Sequence, residues 1–478
     1  MLEFTPGRLN QSALDALLDE PLGWRFKGLP SSLFGLSIRD ARDRGLNLFS
    51  DGFLPPVTVL DEPALEHNLT TMADFCARHD FAHAPHGKTT MAPQLYARQF
   101  EHGAWGQTAA NASQLRIYRA FGVSRIILAN ELVDATALRW LASELDSDPE
   151  FEFWCWVDTE RGVELMTEAL SGPPVSGLSE QRRRRERSDL AEQRREGRHR
   201  EQARERRAER GNPTLRGVRR PVNVLVEQGV AGGRTGVRDR TAALKVAEAV
   251  AASPALRLAG VASYEGAVTN STAAEGLAAV HEHLSELRDL ALDLAGRGHF
   301  DGLDQIIVTA GGSAFFDQVV DVLGASWPIP VLPVLRSGAY ISHDAGFYER
   351  TSPLGAHPRV EGPRLRPAVR GWAQVMSRPE PRLAFLTVGK RDLPYDIDLP
   401  VPELRRAGDT VSQLTGCVMT AMNDQHGFVE LDRDAAIEVG DWIGLGLSHP
   451  CTTFDKVPLV PVVGADGETV VDLIRTFF

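Results

Sequence analysis

From about residue 55 the chain alternates short runs of β-branched and other apolar residues with longer stretches whose apolar positions recur every three or four residues. The first such run, "VTVL" (57–60), leads into "EPALEHNLTTMADFCARH", a helix that Pro63 can open from an early position. Phe81, His83 and Pro85 then alternate with small residues, which predicts a short strand ending near His86, and "QLYARQFEHG" follows as an amphipathic helix. The rhythm continues through "WGQTAA", "RIILAN", "FEFWCWVD", "VNVLVEQG", "LRLAGVASYEG", "QIIVTAGG" and "IPVLPVLRSGAY", with helical stretches between them. Strands this apolar are buried on both faces, as in a parallel sheet covered by helices. Roughly eight β-then-α units predict an α/β fold with a (β/α)8 barrel.

Beyond about residue 365 the pattern changes to short strand-like runs separated by turns, from "AVRGWAQVMSR" to "TVVDLIRTFF". These predict a second, mostly β domain. The expected division is residues 1–54 packed outside the barrel, with the β domain; residues 55–364 as the barrel; and residues 365–478 as the β domain. One stretch breaks the barrel rhythm, "SEQRRRRERSDLAEQRREGRHREQARERRAERGNP" (179–213), nearly all Arg, Glu, Gln and Ala. It reads as a solvated insertion without a packed core; an arm for RNA or another anionic surface is the alternative.

Composition narrows the function classes. The formal net charge of −12 argues against a nucleic-acid binder as a whole. No apolar run reaches the roughly 18 residues of a membrane helix, and the N-terminus lacks the order of a signal peptide. Cys76, Cys155, Cys417 and Cys451 have no paired spacing, so a disulfide framework is not expected and a reducing cytoplasm is the default.

Candidate chemistry gathers at strand ends. Lys88 of "PHGKTT" follows an early barrel strand, on the face where barrels build active sites. There, burial and neighbouring charge can lower its pKa enough for covalent attachment to a carbonyl. "VEQGVAGGRTGVRD" sets Arg234 among glycines, where backbone can approach a ligand and a guanidinium can meet an anionic oxygen. In "TAGGSAFFD", Gly311 and Gly312 precede Ser313, which can cap the next helix; free N–H groups there would cradle a phosphate. "LRSGAYISHDAG" adds Arg336, Tyr340 and Asp344 around a second glycine turn. A lysine early and two such turns late suggest a phosphorylated carbonyl cofactor, with pyridoxal phosphate the obvious candidate. Finally, "GLSHPCTTFDK" places His449 and Cys451 two apart in an extended run, on one side, a spacing that suits Zn²⁺ with positions left open.

The order "PHGKTT…GGRTGV…SYEG…TAGGS…LRSGAY…SHPCTTFDK" resembles the D-serine dehydratase-like and D-threonine aldolase-like family, fold-type III pyridoxal phosphate enzymes of the alanine racemase superfamily. The resemblance runs from about residue 55 to the C-terminus, and its final motif is most like bacterial amino acid deaminases. The Arg-rich insertion is outside the family pattern, and Thr90 stands where many members have a histidine. The resemblance implies an alanine racemase-like barrel in which Lys88 holds the cofactor and, once displaced by substrate, acts as a base at Cα. It implies Tyr264 against the pyridine ring, Gly311, Gly312 and Ser313 on the phosphate with Ser337, Gly338 and Tyr340 closing that loop, and Arg234 near the cofactor's oxygen. Arg336 would reach the ring nitrogen. His449 and Cys451 match the zinc pair of the dehydratases, whereas the aldolases have a carboxylate in place of the cysteine. The expectation is a cytoplasmic, homodimeric lyase for a small D-amino acid, converting D-serine or a related D-3-hydroxy amino acid to a 2-oxo acid and ammonia. Retro-aldol cleavage to glycine and an aldehyde is the alternative.

Overall fold

The computed structural model describes residues 4–171 and 220–478. The Arg-rich insertion 179–213 lies outside the described residues. Eight parallel strands form one sheet in the order β2-β9-β8-β7-β6-β5-β4-β3. They are β2 (Ala82–His83), β3 (Gln107–Ala109), β4 (Arg125–Glu131), β5 (Glu152–Val157), β6 (Val222–Gln228), β7 (Leu256–Ser263), β8 (Ile306–Ala310) and β9 (Val331–Leu335). The two outer strands meet through the parallel bridge His86–Thr108 and the bonds Trp105 N–H to His83 O (2.7 Å) and Thr108 N–H to Pro85 O (2.9 Å). The sheet therefore closes on itself as a barrel.

Strand alternation decides what fills it. In β5, Trp154 and Trp156 turn inward and pack with Trp105, Ile127, Leu225 and Ile307, while Phe153, Cys155 and Val157 face the helix layer. The bulky indoles make the interior a packed floor, so a ligand can sit only at the strand ends.

The central members of a second sheet are β1 (Val57–Asp61), β10 (Val369–Glu380), β16 (Trp442–Gly446) and β17 (Leu459–Val463). It joins them with β12 (Val401–Ala407), β13 (Thr410–Gln413) and β18 (Val470–Arg475) in the order β13-β12-β16-β10-β1-β17-β18, and β11 (Leu383–Leu386), β14 (Cys417–Met422) and β15 (Gly427–Leu431) extend it off β10. The strand read as the first of the barrel is thus a strand of the other sheet: Val57–Leu60 pair antiparallel with Val369–Trp372, and Leu60–Asp61 parallel with Val462–Val463. Its apolar pattern reports burial on both faces, which either sheet satisfies. Asp61 still starts the next helix, Glu62–Arg78, by accepting from Ala64 N–H (2.8 Å), and Pro63 lies in its first turn.

The N-terminal segment spans both bodies. Leu22, Phe26, Leu33 and Ile38 pack with Val57, Val59, Trp372 and Leu473 of the β sheet, while Gly7 N–H and Asn10 N–H bond Ala104 O and Phe121 O on the barrel (both 2.8 Å). No helix among the described residues is long and apolar enough to cross a membrane.

Candidate active site

Lys88 sits in a short 3₁₀ turn, Gly87–Thr89, that leaves the barrel just after β2. The turn is held from both sides. Tyr96 donates its hydroxyl to Gly87 O (2.9 Å), and a Cβ on Gly87 would lie 2.5 Å from the Tyr118 hydroxyl, so only glycine fits. Near the chain's other end, Phe477 N–H bonds Met91 O (2.9 Å). One cavity at these strand ends is lined by Lys88, Arg234, Tyr264, Gly311, Gly312, Ser313, Arg336, Ser337, Gly338 and Cys451. Ten of the twelve sequence-predicted positions thus face one space.

The other two differ. Tyr340 is buried away from the cavity, its ring 5.2 Å from that of His83 and its hydroxyl accepting from Gln99 Nε2 (3.2 Å). It packs the barrel wall behind the glycine turn rather than closing it. His449 stands behind Cys451, outside the lining. The pair is also not extended: His449 is left-handed (φ 64°) and Cys451 lies in the 3₁₀ turn Pro450–Thr452. A tight turn, not strand alternation, brings the two side chains together.

The glycine loops form the anion side. Gly338 approaches the segment between β2 and the lysine turn so closely that a Cβ would lie 2.4 Å from His86 O. Ser337 donates its hydroxyl to Gly312 O (2.9 Å), tying the two loops together. Ser313 does not cap the following helix, Phe316–Leu323, whose N-cap Phe315 has no side-chain bond. Gly311 N–H and Gly312 N–H are engaged by the Glu265 carboxylate at 2.9 and 2.6 Å. Among the described residues, the backbone N–H groups of Ser313, Gly338 and Ala339 have no protein acceptor and border the cavity. Those groups suit a phosphate ester.

The cations are distributed around that cradle. Arg336 is buried, its Nε donating to Thr309 Oγ1 (3.0 Å) and its Nη2 to Ser263 O, with the guanidinium 5.2 Å from the Trp156 ring. Burial brings it down to about 10, with Glu265 and Glu227 opposing, so it stays charged at neutral pH. Arg234 lies 4.3 Å over the Tyr264 ring. His86, two residues before the lysine, is held neutral: burial, then Lys88, Arg336 and Arg234, push its pKa well down. A phosphorylated aromatic aldehyde fits this set of one amine, two guanidiniums and free amides around a floor of Trp156.

On the opposite wall, Cys451 Sγ is 3.4 Å from Thr89 Oγ1, linking the β domain to the lysine turn. Burial alone would raise the Cys451 thiol, but the His449 hydrogen bond, Lys88 and Thr89 bring it below its ordinary value. The bond to Cys451 and, against desolvation, the Asp396 carboxylate hold His449 up at about 9. His449 Nδ1 is 2.5 Å from Asp396 Oδ2, and Thr452 Oγ1 donates to Asp396 Oδ1 (2.8 Å). A carboxylate on Nδ1, the usual second support of a metal-binding histidine, turns Nε2 toward the Cys451 sulfur. No group of three or more potential metal ligands forms among the described residues. Asp344 sets the turn, accepting from His449 N–H (2.9 Å) with Oδ2 and from Tyr348 N–H (2.8 Å) with Oδ1.

Sequence reasoning missed His86, Thr89, Trp156, Glu227, Glu265 and Tyr348 on the lining, and Asp396 behind His449. Glu265 adjoins Tyr264 in the quoted "SYEG" and could have been considered; Asp396 lies 53 residues from its partner with no local signal. Glu131 and Glu227 meet at the barrel mouth with three carboxyl oxygens otherwise unpartnered. Burial, then Glu227 and Asp158, push the Glu131 carboxyl up to about 9.

The fold expected from the resemblance, an alanine racemase-like barrel followed by a mostly β domain, is the fold observed, and the chain is related to D-serine dehydratase-like and D-threonine aldolase-like enzymes. Residues 368–463 match the family described as "Putative serine dehydratase domain". Over 405 residues the chain is 25% identical to a D-threonine aldolase from Arthrobacter sp., covering 84% of this chain and 86% of that protein. Among solved structures, D-threonine aldolase from Filomicrobium marinum superposes with a TM-score of 0.67 at 24% identity, over 90% of this chain and 97% of that one. D-threo-3-hydroxyaspartate dehydratase from Delftia sp. gives 0.63 at 19% identity, over 90% and 99%.

Proposed function

We propose that this chain is a pyridoxal phosphate- and zinc-dependent lyase that converts D-serine, or a related D-3-hydroxy amino acid, to a 2-oxo acid and ammonia. The observation that carries this reading is the single cavity shared by Lys88 and Cys451, with His449 beside that sulfur and Asp396 on its Nδ1. When bound, pyridoxal phosphate supplies an electron sink for charge at Cα and zinc a Lewis acid for the β-hydroxyl.

The chain's own residues do the rest. The Lys88 amine carries the cofactor, then takes the Cα proton. Ser313, Gly338 and Ala339 offer N–H groups to the phosphate, and Arg234 and Arg336 place fixed positive charge around the ring. His449, braced by Asp396, and Cys451 hold the metal on the wall facing Lys88. The proposed assembly is a homodimer of this chain. The free thiol in the site suits a reducing cytoplasm.

Retro-aldol cleavage is the second reading, favoured by the Arthrobacter relative, an aldolase. Product analysis separates the two. With D-serine and D-threonine, elimination yields pyruvate and 2-oxobutanoate with ammonia; cleavage yields glycine and an aldehyde. Glycine as the sole amino product would overturn the dehydratase reading, and turnover of neither substrate would point instead to a cofactor-binding protein without catalysis.

A further inference from the structure

Glu265 is a carboxylate placed where an anion loop ordinarily leaves its amides free. It is fully buried, follows β7, and accepts Gly311 N–H at Oε2 (2.9 Å) and Gly312 N–H at Oε1 (2.6 Å). Both oxygens receive donors, the arrangement of an ionised carboxylate rather than an acid. Gly311 is in the positive-φ region (φ 114°), and a Cβ there would lie 2.4 Å from the Leu335 side chain. At Gly312 it would lie 2.9 Å from the Tyr264 ring. Two N–H groups of a turn that requires glycine are therefore aimed at one side chain just after the neighbouring strand.

We propose that Glu265 is a positioning residue for the cofactor's phosphate: it fixes the Gly311–Gly312 turn so that the next amide, Ser313 N–H, and those of Gly338 and Ala339 converge on the ester. This rests on the pyridoxal phosphate reading above. A second anion near a phosphate carries a repulsive cost, and burial pushes the Glu265 carboxyl up from its ordinary value; the Gly312 and Gly311 amides and then Arg336 oppose that and favour its charge. Charge-assisted bonds to two amides are the stronger effect, because without them the turn keeps only the Ser337 bond to Gly312 O.

The sign is testable with the full chain, using pyridoxal phosphate and unphosphorylated pyridoxal as paired probes and reading affinity by absorbance titration. In Glu265→Gln the side-chain NH₂ faces one of the two amide donors. Affinity for pyridoxal phosphate is expected to fall about tenfold or more while that for pyridoxal changes less than about twofold. Equal losses for both probes, no loss, or tighter phosphate binding each overturn the proposal. A second measurement needs no variant: amide hydrogen exchange at Gly311 and Gly312 in the wild-type apoprotein is expected to be slow, and exchange as fast as at the exposed Gly232 overturns it. Failure of the wild type to bind either probe would instead count against the cofactor reading and leave the exchange result to judge the Glu265 contact.

Discussion

The two walls of the cavity are built on different principles. The barrel wall relies on backbone: glycine turns after β8 and β9 expose N–H groups, and close approaches such as Gly338 to His86 O leave no room for side chains. The β-domain wall relies on side chains gathered from afar, with Asp344, Asp396, His449 and Cys451 converging through bonds that cross 53 to 105 residues. A backbone cradle tolerates change around it but not within it. A side-chain relay fails at any member. The cofactor and the metal should therefore be separable by mutation, and the following tests sharpen or break that contrast.

The largest effect belongs to the barrel wall. Lys88→Ala is expected to abolish turnover, by about a thousandfold or more, together with the cofactor's absorbance in the purified protein. A yellow, borohydride-reducible variant would remove the basis for the whole assignment. Next, Cys451→Ala or chelation should reduce ammonia release from D-serine by about a hundredfold or more while the cofactor absorbance persists. Full turnover in demetallated protein would show that the second wall takes no part in the chemistry. A smaller loss is expected from Asp396→Ala, which leaves both ligands but removes the support of His449. Metal affinity, measured by competition with a chromophoric chelator, should drop about 10- to 100-fold.

A pH effect follows from the carboxyl pair at the barrel mouth. Glu131 titrates near 4.5 when unfolded and at about 9 when folded, because burial first and then Glu227 and Asp158 disfavour its charge. Between those values the native state holds more protons than the unfolded one, so this group's contribution falls as pH rises through the window. Glu131→Gln removes the titration and should gain stability relative to wild type from pH 6 to pH 9, by on the order of 2 kcal/mol at the upper end. Parallel melting curves at all pH values would contradict the assignment. The smallest change is expected at Tyr340→Phe. Its hydroxyl only accepts from Gln99, so about 1 kcal/mol of stability should be lost with cofactor affinity unchanged.

Lys88, Arg234 and the two glycine turns were legible because each motif is local: the residues that act together are neighbours in sequence. Glu265 was within reach for the same reason, yet its neighbour Tyr264 drew the assignment. Tyr340 misled because proximity to a glycine turn does not determine which way a ring points, and Gln99 and His83 claim it from the wall. The His449–Cys451 pair was found from spacing, but its geometry was not, since a left-handed residue held by Asp344 replaces the extended run.

By itself the sequence determined the kinds of elements and their order. Periodicity distinguishes helix from strand, near-continuous apolar strands require burial on both faces, and glycines mark where backbone must turn or approach closely. Tertiary structure alone decided which sheet Val57–Asp61 joins, that Asp396 stands behind His449, and that Glu265 takes the amides of Gly311 and Gly312. The reason is physical: an apolar pattern records that a face is buried but not against what. A polar side chain's partner is set by the folding together of segments that the local sequence does not relate.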